Sequence, residues 1–179
     1  QYARNALFAG LTPAMIRQMY PQLWVDEEED EGKNQNEEQL IAEQLRRYRR
    51  KERFSYHKLQ TSQAASLFLQ NQFAQLSGNE LNVVVINFID MLSHARTESE
   101  MVRELAANEA AYRGITLSWL KNTSVQALFR ALAESDYTIV LTTDHGSIRV
   151  SAPSKVVGER TLNTNLRYKV GRQMSYNNR

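Results

Sequence analysis

The chain has no cysteine in its 179 residues. Disulfides are therefore excluded, and any metal site must be built from histidine, carboxylate or hydroxyl donors. Histidine is almost as scarce, with only His57, His94 and His145. No apolar run reaches the roughly 18–20 residues of a membrane span, and no signal-peptide pattern opens the sequence. These absences fit a cytoplasmic protein that does not enter a membrane. The chain has no internal repeat, and its one low-complexity tract is acidic, Asp26 to Glu31. A formal charge of only +2 says little about partners as a total.

The distribution of charge says more. Residues 26–31 are all acidic, whereas Arg46 to Arg53 is a basic cluster. From Arg149 onward, Arg149, Lys155, Arg160, Arg167, Lys169, Arg172 and Arg179 face a single acid, Glu159. A hydrophobic share of 42% with 23% charged residues suits one globular domain with a substantial core. The sequence starts at Gln1 without an initiator Met and ends in the polar run Ser175–Arg179, so it reads as an internal piece of something larger.

Thr12-Pro13 is a cap followed by a first-turn proline, predicting a helix to Tyr20 that Pro21 ends. Leu40, Ile41, Leu45 and Tyr48 have helical spacing over Glu37–Lys51, with acids early and bases late, as the helix dipole prefers. Phe54–Leu59 alternates weakly, as a short strand does. Thr61 or Ser62 caps a further helix that stops at Ser77-Gly78-Asn79. Asn82–Leu92 and Tyr137–Thr142 are apolar enough to be strands buried on both faces. Between them, helices are predicted over Thr97–Gly114 and Ser124–Ser135. Ile148–Val150 and Lys155–Val157 suggest short strands around Pro153. Strand, helices, strand is the crossover pattern of a parallel sheet.

Two of the three histidines stand beside aspartates, each just past one of the best strand candidates. Ligands and metals collect at the carboxyl ends of such strands. Asp90 and His94 are four residues apart and share a face if a helix starts near Met91. The plain alternative is a capping aspartate with an exposed histidine. Asp144-His145-Gly146 makes a tight turn whose adjacent side chains splay apart, although Asp and Gly are also common turn residues. Taken together, the pairs offer the oxygen and nitrogen donors that suit zinc or a similar divalent ion. His57 has no carboxylate close in sequence, which favours packing or surface. Arg46-Arg47-Tyr48-Arg49-Arg50 reads as a solvated helix end before it reads as a phosphate contact. Thr164–Lys169 interleaves cations, amides and a tyrosine, a mix that holds nucleotide phosphates and bases.

Asp-x-x-x-His followed by Thr-x-Asp-His-Gly resembles the metal motifs of the alkaline phosphatase superfamily. Gln1–Leu11, Asn87–Arg96, Thr142–Ser147 and Thr164–Gly171 are, more narrowly, similar to the PglZ-type domain of PorX-like response regulators, which are linked to type IX secretion. The resemblance implies an α/β fold, a three-layer α/β/α sandwich with a mostly parallel sheet. Residues 1–179 would be the central and C-terminal part of that domain, with a receiver domain upstream. It implies two zinc ions, the first on Asp90 and His94 and the second on Asp144 and His145. A threonine nucleophile would lie just before Gln1. The sequence departs from the pattern in having no nucleophile in this numbering, and no histidine after His145 to complete the first site.

The implied activity is phosphodiester hydrolysis of cyclic or linear oligonucleotides through a phosphothreonine. Arg4, Arg167 and Lys169 are candidates for neutralising phosphate oxygens. Implied partners are a nucleotide substrate, a second copy on receiver phosphorylation, a sensor kinase and a transcription factor. The rival expectation is a non-catalytic module that senses zinc or a nucleotide and passes the signal by dimerising or binding a transcription factor.

Overall fold

The computed structural model describes residues 2–25, 34–146, 156–158 and 174–176. The acidic tract, Ile148–Val150 and Thr164–Gly171, with Arg167 and Lys169, lie outside the described residues. Chain contacts divide the molecule into two compact units, one of Gln1–Gln44 with Thr142–Arg179 and one of Leu45–Leu141.

In the first unit, helix α1 (Ala3–Ala9) ends on Gly10 in the left-handed conformation, with the Leu11 N–H reaching back to the Ala6 carbonyl. Glycine is favoured there because φ is +59°; an added Cβ would lie 2.5 Å from the Gln44 amide nitrogen, the tip of a flexible side chain that can move aside. Helix α2 (Pro13–Met19) starts as its sequence predicts, Thr12 Oγ1 accepting from the Met15 N–H. Helix α3 (Glu37–Arg47) contributes Leu40 to a small core with Ala9 and Ile16, all at 0% exposure. Tyr2 stacks on Trp24 at 4.5 Å and donates its hydroxyl to the Val25 carbonyl. The basic residues predicted to continue α3 to Lys51 belong to the second unit and instead form a turn, because the chain switches to φ +55° at Arg49. The short strands β3 (Val156–Gly158) and β4 (Met174–Tyr176) pair antiparallel.

The second unit is built on strand β1 (Phe54–Leu59), helix α4 (Ser62–Asn71) and strand β2 (Leu81–Ile86), a β-α-β crossover with the strands parallel from Phe54↔Leu81 to Leu59↔Ile86. Thr61 caps α4 by accepting from the Ala64 N–H. Asn82 fixes the register: its Oδ1 accepts from Ser55 and Asn79, and its amide donates to the Leu76 carbonyl. Helices α5 (Phe88–Glu98), α6 (Glu100–Leu105), α7 (Glu109–Asn122) and α8 (Ser124–Ala133) follow. The core gathers Leu59, Ala65, Phe68, Leu76, Val125 and Leu128 from β1, α4, the turn after it and α8. His57 packs its ring on Phe68 at 4.6 Å.

This is an α/β arrangement, but several predicted elements change. The strand expected over Asn82–Leu92 stops at Ile86, and its residues are half-buried rather than covered on both faces. The single helix expected over Thr97–Gly114 is broken, because Ser99 and Asn108 each turn a side-chain oxygen to a backbone N–H and restart it. Gly114 sits inside α7 instead of ending it. Tyr137–Thr142 pairs with no strand among the described residues, and Val140 and Leu141 are 81% and 80% exposed. Apolar β-branched residues favour an extended chain but cannot supply the neighbouring strand that a ladder needs. The parallel pair is β1–β2, so the described residues contain two two-stranded sheets and not a full three-layer sandwich.

Candidate metal-binding residues

Asp90 and His94 both lie on α5, which starts two residues after β2 ends. The helix begins at Phe88, slightly earlier than the sequence suggests, so the i, i+4 spacing takes effect. His94 Nε2 stands 3.6 Å from Asp90 Oδ1. Asp90, in the first helical turn, also complements the dipole there. The histidine is 60% exposed and the aspartate 33%, so the pair is open to solvent and to an ion.

Asp144 and His145 belong to the other unit. Thr143 shapes their turn by donating its hydroxyl to the His145 carbonyl at 2.7 Å. His145 Nδ1 lies 3.3 Å from the Gly146 carbonyl. A carbonyl only accepts, so in the tautomer that makes this hydrogen bond Nδ1 is the donor and a neutral ring has its lone pair on Nε2. That nitrogen is 3.9 Å from Asp144 Oδ1.

Arg4 holds this turn from α1. Its guanidinium donates to Glu37 Oε1 at 3.2 Å and approaches Asp144 Oδ2 to 4.0 Å. The side chains of Arg4 and Glu37 are 8% and 1% exposed, and Asp144 is 20% exposed. Arg4 therefore faces two carboxylates of its own unit. Glu37 went unnoticed in the sequence, where an acid in the first turn of a helix reads as dipole compensation. Its partner is 33 residues away, and no local signal marks it.

The donor geometry can be compared with a zinc ion. Ligand atoms 2.0–2.2 Å from a tetrahedral centre are roughly 3.3–3.6 Å apart. The Asp90–His94 separation falls at the edge of that range, and the Asp144–His145 separation reaches it after a small rotation. Each pair thus fits as two ligands of four. Within either unit, no third His, Cys, Asp or Glu joins a pair among the described residues. Without a metal, the exposed Asp90–His94 pair is an ordinary helix-surface ion pair, worth about 0.3–0.5 kcal/mol when the ring is charged.

No helix among the described residues is long and apolar enough to cross a membrane. No curated protein matches the chain. The family model described as the BREX system PglZ alkaline phosphatase-like domain matches residues 1–179. That match spans both aspartate–histidine pairs and the helix that bears Arg4, so the chain belongs to the PglZ family of alkaline phosphatase-like domains.

Proposed function

We propose that this PglZ domain works as a metal-dependent phosphoesterase on phosphodiesters, with oligonucleotides, cyclic or linear, as the substrate class. Asp90 and His94 would hold one divalent cation and Asp144 and His145 another, zinc being favoured by the mixed carboxylate and imidazole donors. The observation that supports this best is the Asp90–His94 pair, 3.6 Å apart at the start of the helix that follows a parallel strand, in a chain of alkaline phosphatase-like type. Ions bound there would polarise a phosphoryl oxygen and lower the pKa of an oxygen nucleophile.

The rest of the work falls to the protein's own groups. A hydrogen bond from Nδ1 to the Gly146 carbonyl would favour the His145 tautomer that presents Nε2. Arg4, anchored by Glu37, orients the Asp144 carboxylate and acts through it, which leaves Arg167 and Lys169 to meet non-bridging phosphate oxygens. The narrower assignment, a PorX-like regulator of type IX secretion that dimerises when a receiver domain is phosphorylated, rests on the sequence resemblance.

The test is zinc content together with hydrolysis of an aryl phosphodiester by the full-length protein, before and after chelation. Asp144→Ala should lower bound zinc and reduce turnover at least ~100-fold, the upper end of what losing even an outer-sphere partner costs. Turnover that survives both chelation and Asp144→Ala would refute the proposal. Zinc binding without turnover would favour a sensing module.

A further inference from the structure

We infer that the turn closing α3 is a docking surface for single-stranded nucleic acid, separate from the aspartate–histidine pairs. It lies wholly in the Leu45–Leu141 unit and holds Arg46, Arg47, Arg49, Arg50, Lys51 and Arg53 within eight residues. The inference goes beyond the phosphoesterase reading and stands whether or not the chain hydrolyses anything.

The backbone of the turn is the first observation. The Arg50 N–H bonds to the Leu45 carbonyl at 2.9 Å, and the Arg49 N–H to the Arg46 carbonyl at 3.0 Å. These two bonds define a Schellman motif, whose left-handed position is normally glycine. Here it is Arg49, at φ +55°. The same chain ends α1 with a glycine, Gly10, at φ +59°. An L-residue with a side chain is disfavoured in that conformation, so α3 closes with a cation where glycine would fold more easily. Strained positions of this kind gather at binding sites.

The second observation is where the charges go. Arg49, Arg50, Lys51, Glu52 and Glu80 line an open cleft of about 410 Å³. Glu52 is taken by Arg50 at 2.6 Å, and Glu80 accepts from the Arg53 backbone N–H at 2.8 Å with that guanidinium 3.9 Å away. The acids are thus matched to Arg50 and Arg53, while Arg49 and Lys51 have no carboxylate partner among the described residues. Both are exposed. A mobile, multivalent anion would be drawn to them.

The third observation selects the kind of anion. Tyr48, between Arg47 and Arg49 in the sequence and one residue before the cleft-lining Arg49, has 64% of its surface exposed. An exposed aromatic residue next in the chain to exposed cations offers what single-stranded nucleic acid uses, cations for its phosphates and a ring for an unstacked base. An acidic peptide would use the cations but not the ring, and a duplex keeps its bases stacked.

The experiment is fluorescence anisotropy of a short labelled oligothymidylate with the full chain, in chelator so that no hydrolysis intervenes, across a salt series. Wild type should bind with a log–log salt slope that becomes shallower by about 0.7 for each cation removed. The double variant Arg49→Gly/Lys51→Gln should show that change, while Arg49→Gly alone melts no lower than wild type. Tyr48→Ala should weaken binding by roughly 5- to 150-fold. No binding by wild type, or an unchanged slope in the double variant, would overturn the inference. So would a polyglutamate of equal charge binding as tightly as the oligonucleotide.

Discussion

Replacing Arg4 with methionine keeps much of the side-chain volume and removes the charge, leaving Glu37 buried at 1% exposure without its guanidinium. At 3.2 Å and an effective dielectric of about 20, that attraction is worth about 5 kcal/mol. It is offset in the native protein by the cost of taking both ions out of water. Breaking one side of such a pair is expensive, about 3–5 kcal/mol, because the surviving charge stays buried. At roughly 2–4 °C per kcal/mol for a chain of this size, Tm falls by about 6–20 °C. Trp24, stacked on Tyr2 in the same unit, reports the transition once Trp119 is replaced by phenylalanine. The companion variant Arg4→Met/Glu37→Leu removes both charges and should recover most of the loss, since a well-packed apolar pair can match a buried ion pair. If Arg4→Met costs less than about 1 kcal/mol in urea unfolding at unchanged m-value, Glu37 is not held as a buried carboxylate. The account of how Asp144 is oriented would fall with it.

Other substitutions probe single features. Gly10→Ala should cost about 1–2 kcal/mol, because the left-handed conformation penalises a Cβ, and a stability equal to wild type would disprove that geometry. Phe68→Ala should cost about 3–5 kcal/mol by opening a cavity beside His57, Leu76 and Leu128, and thermal unfolding followed through Trp119 would show it. Arg49→Gly should gain up to about 1 kcal/mol by relieving φ +55°, and a clear loss in Tm would mean that the Arg49 side chain supports the fold itself.

Much of the fold follows from local chemistry that a sequence displays. Thr12-Pro13 and Thr61 cap helices as read, and Phe54–Leu59 is a strand over the residues expected. The errors share one cause, which is that a local pattern does not name its partners. Tyr137–Thr142 is apolar enough for a central strand, yet no ladder forms on it among the described residues. The Thr97–Gly114 pattern is helical throughout in composition, but Ser99 and Asn108, which in sequence read as ordinary surface polar residues, cap new helices. Asp90 and His94 were legible because one helical turn separates them, and their spacing needs only the helix to exist. Asp144 was legible as a turn residue, but its link to Arg4 spans most of the chain and depends on folding.

Arginine shows how little of this lies in residue identity. Arg4 and Arg49 are the same side chain, yet the sequence offers Arg4 for phosphate and reads Arg49 first as part of a solvated helix end. Burial separates them. Arg4, at 8% exposure between two carboxylates, has its charge offset inside its unit, and an incoming phosphate would have to displace Glu37 or Asp144 to reach it. Arg49 is exposed, has no acid against it among the described residues, and occupies a backbone conformation that glycine would adopt at lower cost. A cation already offset by buried acids is suited to fixing the position of another group. A cation presented on a strained turn is suited to meeting an anion from outside. The separation predicts opposite phenotypes: Arg4→Met should damage the fold first, whereas Arg49→Gly should spare it and lose only the anion.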